Sequence, residues 1–121
     1  MRPEVKKNSA VKEFLTKERC YILELANDTG DKQISIARAR VEPGVTTAWH
    51  RLKGISERYI IVSGLGRVEL NNLEPINVSA GDVVRIPADT PQRITNTGHV
   101  DLVFFCICSP RFYEDCYESL E

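Results

Sequence analysis

At 121 residues, with 16 Lys and Arg against 17 Asp and Glu for a formal net charge of -1, the chain has room for one domain around one buried core. So even a balance leaves no cationic excess for a polyanion, and no apolar run approaches the roughly 20 residues that span a bilayer, so neither nucleic acid nor membrane is expected as a partner. The opening MRPEVKKNSA lacks the apolar stretch of a secretory signal, and a cytoplasmic protein is expected.

In chain order, residues 1–30 read as an arm and a strand. AVKEFLTKE fits a short helix or an arm, and ERCYILEL is β-rich. QISIARARV then alternates as a strand. Arg38 and Arg40 share one of its faces and read as solvated; turned inward, one of them would hold a carboxylate or phosphate. Further strands follow in ERYIIVSG, GRVEL, GDVVRIP, QRITNTG and DLVFFCIC. Every joint between them carries turn residues: NDTGD, EPG, SGLG, NNLEP, SAGD, PADTP and NTGH. Many short, evenly spaced strands predict an all-β sandwich, jelly roll or small barrel. His99, in NTGHVD, reads as an exposed loop residue. The last segment, PRFYEDCYESL, sets Phe112, Tyr113, Cys116, Tyr117 and Leu120 at near-helical spacing, and its aromatics read as a cap over the barrel or a lining of its mouth.

The four cysteines, Cys20, Cys106, Cys108 and Cys116, show no C-x-x-C spacing and read as reduced core residues without chemistry. The stretch that points to a site is TAWHRLKGISERYIIVSGLGRVEL, which holds one of only two histidines. Alternation puts His50 and Leu52 on one strand face, and Glu57, Tyr59 and Ile61 on one face of the next strand, with Arg58 opposite. A glutamate inside a barrel lined by Val, Ile and Leu is costly unless it meets a cation or several donors. Glu57 therefore demands a partner, and Arg58 cannot supply it.

Two segments carry a resemblance. Gly44, His50, Glu57 and Gly64 match the spacing G-x5-H-x-H-x4-E-x6-G, and Gly81, Pro87 and Asn96 match G-x5-P-x-G-x2-H-x3-N. Two such motifs in this order are similar to those of the cupin superfamily. The resemblance implies a double-stranded β-helix, a small jelly-roll barrel, over residues 1–121 with core motifs at 44–64 and 81–96. It also implies a metal site, but this chain departs from the pattern. Leu52 replaces the second histidine, Gln92 replaces the third, and Asp89 stands where glycine is common. The expected ligands are then His50, Glu57 and Gln92 around Mn, Fe, Co, Ni or Zn, one histidine short of the 2-His-1-carboxylate arrangement. The competing reading makes the same residues a metal-free hydrogen-bonded network.

Two functions stay open. In one, the barrel binds a small polar metabolite together with a divalent metal that polarises its carbonyl or hydroxyl, and Glu57 or a bound water moves a proton in isomerase or lyase chemistry, with Leu52 and Tyr59 in the substrate pocket. In the other, the protein is a non-catalytic small-molecule-binding cupin with a degenerate metal site. Because cupins commonly pair through β-rich N-terminal strands, a homodimer is expected.

Overall fold

The structure, a computed structural model, describes all 121 residues. Its strands are β1 (Phe14–Leu15), β2 (Tyr21–Ala26), β3 (Ser35–Val41), β4 (His50–Leu52), β5 (Ser56–Ser63), β6 (Leu65–Leu70), β7 (Ile76–Ser79), β8 (Val83–Ile86), β9 (Gln92–Asn96), β10 (Leu102–Ser109) and β11 (Tyr117–Ser119). They form a six-stranded sheet in the order β1-β2-β3-β10-β5-β8 and a five-stranded sheet in the order β11-β4-β9-β6-β7. Every pairing is antiparallel. No helix is long and apolar enough to cross a membrane.

Strict alternation fixes which residues enter the core. Along β10, Leu102, Phe104, Cys106 and Cys108 are buried while the residues between them are half-exposed. Along β5 the inward row is Glu57, Tyr59 and Ile61, as the sequence predicts. Ile61, Val68, Ile86, Ile94, Leu102 and Phe104, drawn from both sheets, share one cluster of 13 buried residues. The inward rows thus run from packed aliphatics at one end of the barrel to Glu57, Gln92 and Cys108 at the other.

Three turn residues from the two motifs have structural explanations. Gly64 adopts φ +90, and a Cβ there would stand 2.7 Å from the Asp101 carbonyl oxygen, so both conformation and space demand glycine. Asp89 takes φ 66 in the place where glycine is common. Its carboxylate accepts from the Gly54 amide at 3.1 Å and its own amide donates to the Leu52 carbonyl at 2.9 Å, so aspartate keeps the reversal and ties it to the β4–β5 turn. The buried Asn96 amide donates to the Val41 and Val100 carbonyls, both at 2.8 Å, and its carbonyl accepts from the Gly98 amide at 2.9 Å. It clamps the β9–β10 turn to the end of β3.

Both terminal segments depart from the helical reading. The N-terminal arm holds one 3-10 turn at Asn8–Ala10, and the C-terminal segment holds one at Glu114–Cys116 followed by β11. Strand β4 offers an open edge, and β11 fills it with Tyr117 opposite Leu52 and Ser119 opposite His50. Satisfying that edge outweighs a weak helical periodicity. Arg38 and Arg40 point away from the barrel interior. Arg40 makes a forked contact to Glu13 of the arm, at 3.1 and 2.7 Å, and lies over the Tyr21 ring. Neither arginine serves the pocket.

Candidate functional site

Five elements bring the site together. Strand β4 supplies His50 and Leu52, β5 supplies Glu57 and Tyr59, β9 supplies Gln92, β10 supplies Cys106 and Cys108, and the loop before β2 supplies Glu18 and Cys20. All of them but Gln92 line a cavity of about 920 Å³, and Gln92 joins the group through the Tyr59 hydroxyl. His50 and Gln92 face each other across the β4–β9 pair.

His50 is held in one tautomer. Its Nδ1 lies 2.7 Å from the Ala48 carbonyl oxygen, which can only accept, so Nδ1 carries a hydrogen, and in the neutral ring the lone pair is on Nε2. Glu18 Oε2 stands 3.5 Å from the same Nδ1, and the imidazole stacks on Tyr117 with centroids 5.0 Å apart. Ala48 is itself fixed, its amide donating to the Glu18 carbonyl at 3.0 Å.

Glu57 is buried among apolar side chains. Burial, with the Glu18 carboxylate nearby, pushes its carboxyl up to about 7; the Gln92 amide and Cys108 thiol offset this only in part. The Cys108 thiol donates to Oε2 at 3.7 Å, a weak contact, and Oε1 has no partner. Tyr59 donates its hydroxyl to Gln92 Oε1, leaving Gln92 Nε2 buried and unpartnered. The Gln92 amide stands near enough to Glu57 to lower its carboxyl in part. Burial also raises Tyr59, Cys106, Cys108 and Cys20, so these groups stay protonated.

The five residues expected from the sequence therefore come together. Leu52 is also core, packed with Ile55, Cys108 and Cys116, and Tyr59 spends its hydroxyl on Gln92. The sequence reading missed Glu18, because a glutamate in a charged loop carries no periodic or spacing signal. Phe112, Tyr113 and Tyr117 line the cavity, the mouth-lining alternative of the two readings for the C-terminal aromatics. His99 is exposed in its loop.

The comparisons agree with this architecture. Residues 37–108 match the sequence profile of the Cupin domain family. The chain belongs to the cupin family. This cupin is 36% identical over 114 residues, 92% of its length and 90% of the other's, to Uncharacterized protein MJ1618 of Methanocaldococcus jannaschii. It is 34% identical over 71 residues, 59% of its length and 58% of the other's, to the Oxalate-binding protein of Thermotoga maritima. A solved structure of Streptomyces PAC13 with uridine superposes with a TM-score of 0.83 at 20% identity, covering 100% of this cupin and 93% of that chain.

The donor set does not fit a closed metal centre. His50 and Glu57 are strong ligands, but Gln92 commits its oxygen to Tyr59, and its remaining amide nitrogen is no ligand. No group of three or more His, Cys, Asp or Glu side chains is placed to hold a metal ion.

Proposed function

We propose that this cupin binds a small polar metabolite at the base of its barrel and moves a proton on it, in isomerase or lyase chemistry. The observation that carries the reading is Glu57 in the wall of a cavity of about 920 Å³, its Oε1 buried and without a partner. An acceptor left unpaired is costly in an apolar interior, and a ligand hydroxyl or amine would satisfy it. His50 Nε2 offers a lone pair and Glu57 a carboxyl poised near neutrality, so these two residues are the proton carriers. Tyr59 acts indirectly, holding the Gln92 amide in its orientation.

The test is solvent exchange. Chelator-treated protein in heavy water, offered hydroxy-aldehydes and hydroxy-ketones, is expected to wash deuterium into the carbon beside the carbonyl. His50→Gln and Glu57→Gln should each slow this by on the order of 100-fold. Ligand binding without exchange would instead favour the non-catalytic small-molecule-binding reading.

A second reading keeps the metal. The tautomer of His50, with Nδ1 engaged and Nε2 free, is the one a metal-bound imidazole uses, and a divalent ion held by His50, Glu57 and waters would neutralise the buried carboxylate. Leu52→His measures how far the native set falls short. Leu52 lines the cavity on the His50 face, so a histidine there adds the missing strong ligand. Affinity for Ni, Co or Zn is expected to rise at least about tenfold, about 1.4 kcal/mol, in competition against a coloured chelator. Leu52→Asn should lose stability without that gain. A folded Leu52→His protein that binds no more tightly than wild type would show that position 52 does not reach the site.

The homodimer expected from the N-terminal strands belongs to this proposal too. Strand β1 leaves one edge of the six-stranded sheet open. A monomer mass by light scattering at micromolar concentration would remove it.

A further inference from the structure

Glu57 is a buried carboxylate with no counter-ion. It is 7% exposed, its Oε1 has no partner, and its Oε2 meets only a thiol. The neighbouring group able to carry positive charge, His50, stands against a different carboxylate, with Nδ1 at 3.5 Å from Glu18. Two more carboxylates, Glu24 and Glu114, line the cavity at exposed positions. Its basic side chains lie away from Glu57: Lys17 is exposed, and half-buried Arg111 donates through Nε to Asn27 at 2.9 Å. An anion entering this cavity would meet Glu57 and Glu18 with no buried cation to offset them. Phe112, Tyr113 and Tyr117 line the same cavity, and aromatic rings attract cations.

We propose that the ligand is a small organic cation, an amine whose ammonium sits against Glu57 Oε1 in the cavity wall. This rests on the cavity being a ligand site, and it adds the charge of the ligand. It also divides the labour at the site: Glu57 anchors the ammonium, and His50 Nε2 is left to exchange protons with the substrate. A buried, unpartnered carboxylate oxygen in the cavity wall matches the ammonium of an amino alcohol, an amino sugar or an amino ketone. They match a dicarboxylate poorly, since Glu57 would face like charge.

Two matched triads test the charge: glucosamine, glucose and glucuronate share one ring, and ethanolamine, ethylene glycol and glycolate share two carbons. Each is titrated against chelator-treated protein while the Gln92 side-chain amide is followed by NMR. In at least one triad the amine is expected to bind at least tenfold more tightly than the acid, with the neutral compound between them. Glu57→Gln should abolish the preference for the amine, so that the amine and the neutral compound bind alike. If binding is seen but the amine shows that preference in neither triad, the proposal falls and the cavity remains a ligand site. Retention of the amine preference in Glu57→Gln also overturns it, by placing the cation elsewhere. If no member of either triad perturbs Gln92, the proposal and the ligand site on which it rests fall together.

Discussion

Glu57→Gln is expected to stabilise the unliganded, chelator-treated protein at pH 8 by about 3 kcal/mol, raising Tm on the order of 10 °C. The folded carboxyl titrates at about 7, against an ordinary value of 4.5, because burial and then the Glu18 charge disfavour its ionised form. The folded state therefore holds this proton more tightly than the unfolded chain does. Between about pH 4.5 and 7 the native protein binds more protons, so stability falls as pH rises through that window and levels off above it. A difference of about 2.5 pH units is worth about 3 kcal/mol. Glutamine has the same shape and never ionises, so the wild-type and variant curves should converge near pH 4.5 and separate above pH 7. Surface carboxylates such as Glu13 and Glu69, held low by arginine partners, titrate at the acid end and cancel in the difference. Thermal melts from pH 4.5 to 8.5 measure it. A glutamine variant less stable than wild type at pH 8 in chelator would mean that the protein itself neutralises Glu57. Added metal or a bound amine should reverse the order of the two proteins, since either would supply the missing charge.

Asn96→Ala is expected to cost about 3 kcal/mol, roughly 1 for each of the three hydrogen bonds lost. The side chain is 1% exposed and satisfies the Val41 and Val100 carbonyls and the Gly98 amide. Asn96→Asp should be no milder, because it keeps the acceptor for Gly98 and sets a carboxylate against two carbonyl oxygens. The contrast is Asp89→Gly, at an exposed turn position with φ 66, where glycine accepts the backbone and one exposed bond to Gly54 is lost. That change should stay within about 1 kcal/mol. Urea denaturation with an unchanged slope checks all three. An Asn96→Ala loss under 1 kcal/mol would remove the clamp role.

Neither prediction follows from spacing alone. The motif showed that position 96 carries asparagine in register with Gly81 and Pro87, but not that its amide bridges two carbonyls of separate segments. For Glu57, alternation was enough to place it inward with Tyr59 and Ile61 and to set it apart from Arg58. What the sequence left open was the identity of its neighbours. Gln92 comes from a strand 35 residues later, and whether its oxygen or its nitrogen meets Glu57 depends on Tyr59, which claims the oxygen.

The period-2 pattern and the turn residues by themselves determined an all-β chain, its inward rows and the residues gathered at one end of the barrel, because burial on a strand is a local property of alternation. The two spacing motifs determined the family for the same reason, since they record local reversals such as those at Gly64 and Asp89. Tertiary structure alone decided the rest. It turned the near-helical C-terminal segment into β11, because the edge of β4 lay open beside it. It set Glu18 beside His50 from an unpatterned loop, and it left Glu57 Oε1 and Gln92 Nε2 without partners. A hydrogen bond is a relation between residues distant in sequence, and only the closed barrel shows which of them find a partner and which await one.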